Sequence, residues 1–254
     1  MRNYDSERAS LIGKSNTISE LFERRSVRVF EERGISDEDK RAILYAAAEA
    51  PTAGCQQLYT ILDITDENLK RELSVSCDNQ PFIAKAPMVL VFCADCRKWY
   101  DAFVEAGAEP RKPGLGDLML AVCDTAIAAQ NAVTAAWSLG IGSCYIGDIL
   151  EQYETHRRIL ALPEYVVPAV MVVFGYPTRQ QREREKPQRI EMDMLVSENA
   201  YPERDGKDYR KMFGERCENL GYDEWMKRFC NRKFNSDFSV EMTRSVEKYA
   251  EQYK

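Results

Sequence analysis

Residues 116–140 read GDLMLAVCDTAIAAQNAVTAAWSLG, an alanine-rich run whose small side chains recur on most faces of any helix drawn through it. Such a helix is expected to be buried nearly all round, either at the centre of the fold or against a second subunit. The same run is interrupted by Asp117, Asp124, Gln130 and Asn131. A bilayer would leave those groups unpaired, so the helix belongs to protein and not to lipid.

The elements on either side follow from periodicity and punctuation. Residues 18–25 predict a short helix, and Ser36 followed by Asp37, Glu38 and Asp39 caps a second, which Pro51 ends. Residues 58–64 read as a strand, 66–76 as a polar helix and 87–94 (PMVLVFCA) as a strand buried on both faces. Residues 97–116, charged and carrying Pro110 and Pro113, read as an excursion or lid. After the long helix come a glycine-rich strand-like segment (GIGSCYIG), a helix over 155–162 and a strand over 166–174. The order predicts an α+β sandwich in which a sheet packs on helices. Residues 15–196 are expected to form one domain. Residues 197–254, polar and aromatic-studded, are expected to be a helical extension that wraps a neighbour.

Several function classes drop out. A net charge of −6 is poor equipment for neutralising nucleic-acid phosphates. The N-terminus lacks an apolar run of signal-peptide length, and eight scattered cysteines read as reduced thiols, so a cytoplasmic setting is expected. The CxxC of Cys93 and Cys96 has no second pair, and His156 is the lone histidine, so no metal site is expected. That single base also starves any Ser-His-Asp or Cys-His arrangement, and neither a nucleophile elbow nor a phosphate-binding glycine loop is present.

What is left is anion and flat-ring binding. FERRSVRVF places Arg24, Arg25 and Arg28 around Ser26. If this segment is extended, Arg24, Ser26 and Arg28 share one side while Val27 and Val29 turn to the core. Guanidinium forks suit a phosphate or the edge of a heterocycle. The alternative is a solvated cluster paired with Glu20, Glu23, Glu31 and Glu32. The loop PTAGCQQ offers Thr52, Ala53 and Gly54 as an unobstructed backbone surface, and Lys186 and Arg189 are further candidate anion ligands. Residues offering binding without an acid, base or nucleophile point to cofactor chemistry.

Six ordered segments carry a resemblance: RRSVRVF (24–30), APTAGCQQ (50–57), QPFIAKAPMVLVFCAD (80–95), DTAIAAQNAVTAAWSLGIGSCYIGDI (124–149), LALPEYVVPAVMVVFGYP (160–177) and KPQR (186–189). Together they resemble the nitroreductase family, most closely its oxygen-insensitive nitroreductase and NADPH-flavin oxidoreductase branch. The resemblance implies a mostly antiparallel sheet packed by helices in a homodimer with FMN at the subunit interface. It also implies ping-pong hydride transfer from NADPH or NADH to a nitroaromatic, quinone or flavin acceptor, with no catalytic side chain. By the same resemblance Arg24, Arg25, Ser26, Arg28, Lys186 and Arg189 meet the phosphate, ribityl chain and pyrimidine edge. Thr52, Ala53 and Gly54 lie against the flavin from the second subunit. Gln80, Tyr145, Ile146, Gly147 and Asp148 line the ring. The chain departs from the family at Thr52, Cys55 and Asp148. A carboxylate at 148, if it faces the flavin, would oppose an anionic ring by roughly 1–4 kcal/mol. The rivals are a flavin store or redox sensor using Cys55 or Cys144, and a specialised reductive dehalogenase.

Overall fold

The computed structural model describes residues 4–217 and 220–254. They divide into two compact units. One takes the described residues of Met1–Glu23 with Glu185–Val240, and the other takes Arg24–Arg184 with Glu241–Lys254. The residues expected to form a single extension are thus shared between the two.

The larger unit is built on four antiparallel strands, β1 (Tyr59–Asp63), β2 (Met88–Asp95), β3 (Gly142–Ile146) and β4 (Val166–Gly175), in the order β1-β2-β4-β3. Every residue of β2 is buried, and its alternation serves two cores. Leu90 and Phe92 face the helix Leu115–Ser138 through Ala128, Ala129, Ala132, Val133 and Ala136, with Ile43 and Ala47 of the helix Asp37–Ala48 in the same cluster. Val89 and Val91 face Leu73, Ile83 and Ile149 on the opposite side. Helices therefore cover both faces, and the α+β sandwich expected from the sequence is the one observed.

The helix Leu115–Ser138 is long and apolar enough, by length and composition, to cross a membrane. Its buried residues, however, form one stripe and not a full circumference: Ala121, Asp124, Thr125, Ala128, Ala129, Ala132, Val133 and Ala136. The alanines bring its axis close to the sheet. Met119, Leu120 and Ile127 on its other side are exposed. The expectation of burial all round is therefore not met within one chain.

Residues 97–116, expected as an excursion, begin with a helix, Arg97–Glu105. Trp99 and Phe103 meet at 5.5 Å in a tilted arrangement across one helical turn, an apolar spacing hidden among charges. A third set of buried side chains, Leu58, Ala94, Cys96, Ala121 and Val167, closes around Tyr249 and Tyr253. Tyr249 also meets Tyr153 edge-on at 4.6 Å.

The other unit is helical, with Tyr4–Leu11, Asn16–Glu23, Met192–Leu195, Gly206–Phe213 and Tyr222–Lys233. Asp205 caps Gly206–Phe213 by accepting from the backbone N–H of Lys207 (2.7 Å) and Asp208 (3.1 Å). Lys211–Asp193 and Arg210–Asp223 pair across its surface, where such pairs contribute at most about 1 kcal/mol.

Candidate functional site

The arginine segment is seated on the edge of the sheet. Ser26 bridges Ser143 of β3 in parallel, and the Val27 N–H donates to the Ser143 carbonyl at 2.9 Å. Phe30 bridges Pro177 after β4. Two glycines make this approach possible. A Cβ at Gly142 would lie 2.5 Å from Val27 Cγ2, and one at Gly175 would lie 2.6 Å from the Phe30 ring. Val27 is fully buried, as expected, but Val29 is 51 % exposed. Only isolated bridges hold the segment, so strict strand alternation lapses and Phe30 takes the inward place expected for Val29.

Arg24, Ser26 and Arg28 come together around the end of β3. Burial pushes the Cys144 thiol up, while the nearby Arg28 and Arg24 guanidiniums pull it down. Burial likewise raises the Tyr145 phenol to about 12 against the pull of Arg24. Its hydroxyl donates to Gln130 at 3.2 Å. Among the described residues no carboxylate pairs with Arg24 or Arg28; Glu31, one partner in the surface-cluster alternative, pairs with Arg182. The Arg28 backbone is fixed by Gln181, whose Oε1 accepts its N–H at 3.1 Å. Arg25 behaves differently. Its Nη1 donates to the carbonyls of Arg182 and Arg184, the latter at 2.6 Å, so it clamps the chain beyond β4.

Immediately after β3 the backbone opens. Gly147 is exposed, and a Cβ built on it would meet nothing within 4 Å. That is the accessibility a flat ring needs to lie on backbone. Gln80 reaches the same place. The left-handed Asp78 (φ 59°) and Asn79 (φ 50°), residue types that tolerate such backbone, turn the chain into it. The Gln80 amide then donates to Asp148 Oδ2 and the Cys77 carbonyl, both at 2.9 Å.

Thr52, Ala53 and Gly54 form a separate group. Asp124, 3 % exposed in the middle of Leu115–Ser138, accepts from the Thr52 hydroxyl, the Ala53 N–H (3.0 Å) and the Leu58 N–H (3.2 Å). The Thr52 hydroxyl in turn accepts from the Gln57 N–H at 2.7 Å. Gly54 sits at φ 56°, where a side chain is strained. Lys186 and Arg189 lie in the helical unit, where Lys186 donates to the Phe22 carbonyl. His156 is fully buried between the Ile149 carbonyl (3.0 Å) and Ser76 (2.8 Å), and burial pushes its pKa down. It is core and not a base.

Sequence reasoning missed two residues that organise this region. Asp124 had a signal, since a carboxylate amid alanines needs a reason to be there. Glu151, 4 % exposed, had none, because it stands in an unremarkable turn.

This architecture is shared with known proteins. The nitroreductase family model matches residues 21–176. The FMN reductase (NADPH) of Bacillus subtilis is 32 % identical over 189 residues, which is 74 % of this chain and 75 % of the relative. The oxygen-insensitive NADPH nitroreductase of Salmonella typhimurium is 35 % identical over 194 residues, 76 % of this chain and 78 % of its own length. Among solved structures, a nitroreductase of Bacillus subtilis superposes with a TM-score of 0.80 at 28 % identity, covering 92 % of this chain and 98 % of that one. The NADPH:FMN oxidoreductase of Vibrio harveyi, complexed with NAD+, gives 0.79 at 25 % identity over 93 % of this chain and 98 % of its own. With more than half its length matched by the family model, and the strands and helices in the same arrangement, this chain belongs to the nitroreductase family.

Proposed function

We propose that this chain is an FMN-dependent oxidoreductase that carries hydride from NADPH or NADH to a small electron acceptor: a nitroaromatic, a quinone or a free flavin. The observation that carries the proposal is the pair of guanidiniums, Arg24 and Arg28, standing among the described residues without a carboxylate partner around Cys144 of β3, the strand that the open backbone of Gly147 follows. Cations in a chain of net negative charge call for an anion from outside, and a bare glycine backbone next to them suits a flat ring. FMN combines the two, and when bound it supplies the hydride relay between donor and acceptor.

The chain's own residues bind and position. Arg24 and Arg28, with the Ser26 hydroxyl, hold the phosphate and ribityl end. Tyr145, Ile146, Gly147 and Asp148 give one wall, and Gln80 is presented from the neighbouring turn. Arg25 acts by fixing the segment after β4, while Lys186 and Arg189 are assigned to the anion on the family pattern. Thr52, Ala53 and Gly54 are supplied to the site by a second copy of the chain. The exposed apolar face of Leu115–Ser138, with Met119 at 65 % and Leu120 at 50 % exposure, is the surface that copy would cover. Sedimentation is expected to give twice the chain mass at micromolar concentration; a monomer would remove the shared site. Eight free cysteines agree with a cytoplasmic setting. The redox-sensor alternative is disfavoured at Cys144, because a buried thiol whose pKa is raised is a poor nucleophile.

The test is the absorbance spectrum of the purified protein, followed by anaerobic addition of NADPH and then NADH. A flavin band near ~450 nm that bleaches within seconds is the expected result. A yellow protein that does not bleach would make it a store or sensor, and a colourless one that refuses added FMN would end the flavin assignment.

A further inference from the structure

We propose that Glu151 and Asp148 form a proton-sharing carboxyl pair that sets the charge beside Gly147 and holds the Gln80 amide in place. The proposal rests on the flavin site argued above, and it deepens that site with a residue none of the family segments contains.

The geometry begins with burial. Glu151 is 4 % exposed, and its Oε1 is enclosed without a hydrogen-bond partner. An ionised carboxylate so placed would forfeit its hydration with nothing in return. Its surroundings add to the cost, because the charged groups around it are themselves acidic. Asp148 comes from the turn Gly147–Leu150, Asp78 from the turn after the helix Glu67–Ser76, and Glu241 from the helix Asp237–Glu251. Glu241 is partly neutralised by Arg244 at 2.9 Å, and His156 nearby is held neutral by burial. The Glu151 N–H donates to the Asp148 carbonyl at 3.1 Å, closing the tight turn that carries both carboxyls. Two carboxylates attract one another only when one proton lies between them. Burial first, then Asp148, Asp78 and Glu241, push Glu151 up to about 7.

The consequence reaches the ligand wall through Gln80, which donates to Asp148 Oδ2 at 2.9 Å. With the proton in place, the pair carries one negative charge and Asp148 keeps an acceptor oxygen for that amide. Once the proton leaves, two negative charges stand one turn from Gly147 and repel an anionic ligand. Asp148, which departs from the family pattern, is thereby made tolerable next to a flavin.

The sign follows from linkage. An acid whose folded value lies above its ordinary value of 4.5 stabilises the fold below that value, and this contribution is lost as pH rises to about 7. Glu151→Gln cannot ionise. Its melting temperature, measured as the difference from the parent chain, is expected to rise from pH 4.5 to about pH 7 and to level off above it. Asp148→Asn, which removes one of the acidic groups that push Glu151 up, is expected to make the parent's loss of stability smaller and to complete it at lower pH, and it serves if the glutamine variant folds poorly. FMN dissociation is read on the same proteins as the ratio of parent to Glu151→Gln, which cancels the ionisation of FMN itself. The ratio is expected to grow on the order of 5-fold between pH 6 and pH 8. A melting difference that stays flat with pH overturns the pair. A melting difference that opens while the FMN ratio stays flat overturns its role at the ligand. Failure of every variant and the parent to take up FMN would instead sink the flavin reading, while the melting series still judges the pair.

Discussion

Arg28→Ala is expected to cost this protein most of its flavin, with FMN affinity falling by about 10- to 100-fold, as befits one charge-assisted hydrogen-bonding group worth roughly 1.5–3 kcal/mol. The fold should survive. Arg28 has an exposed side chain, and the segment is held by bonds that do not use its guanidinium, from Val27 to Ser143 and from the Arg28 N–H to Gln181. Equilibrium dialysis with FMN, beside a thermal melt of the apoprotein, separates the two effects. Arg28→Lys should recover only part of the loss, because an ammonium offers a point charge where the guanidinium offers a fork. Full flavin occupancy in Arg28→Ala, with an unchanged dissociation constant, would remove the arginine pair from the site.

The second large effect is expected at Asp124. Its carboxylate gathers the Ala53 and Leu58 N–H groups and the Thr52 hydroxyl from the far side of a loop. Asp124→Ala leaves two backbone donors without an acceptor, one of them on the buried Leu58. At about 1–3 kcal/mol for each unsatisfied donor, the loss comes to roughly 2–6 kcal/mol. For a chain of this size that is a fall of about 5–20 °C in melting temperature. Asp124→Asn keeps one acceptor oxygen and should lose less. Amide exchange gives the finer readout: protection should disappear first at Ala53, Gln57 and Leu58. If protection in the loop is unchanged while the protein melts lower, Asp124 supports only the helix.

These two residues also show where the sequence was legible. β2 was readable because a strand buried on both faces is a run of apolar residues whatever surrounds it, and the Ser36 cap was readable because capping is local. Val29 was misplaced for the converse reason. Its direction depends on Gly175 leaving room for Phe30, a contact between residues more than a hundred positions apart. The helix Arg97–Glu105 was hidden by its own charges, since Trp99 and Phe103 show their spacing only once a surface is there to receive them. The candidate site divides the same way. Arg24, Ser26, Arg28 and the 145–148 turn assemble at one strand end, whereas residues 52–54 are organised by a helix that no local pattern ties to them. Glu151 lies beyond local reading altogether, because what distinguishes it is the company of Asp78, Asp148 and Glu241.

The two stretches that make up the larger unit have a consequence for how the molecule comes into being. Tyr249 and Tyr253, 1 % and 4 % exposed, fill the space bounded by Leu58, Ala94, Cys96 and Val167. On the ribosome those walls emerge first, and Glu185–Val240 must then be translated before the tyrosines that close them exist. At ordinary elongation speed this leaves a nascent chain with an unfilled apolar hollow for a time on the order of seconds, an opening suited to transient chaperone capture. Ribosomes that stall within those residues would release chains with their sheet assembled and that hollow permanently empty. Quality control by proteolysis would meet such chains as a sheet without its closing tyrosines and without the helices of Glu185–Val240 not yet made.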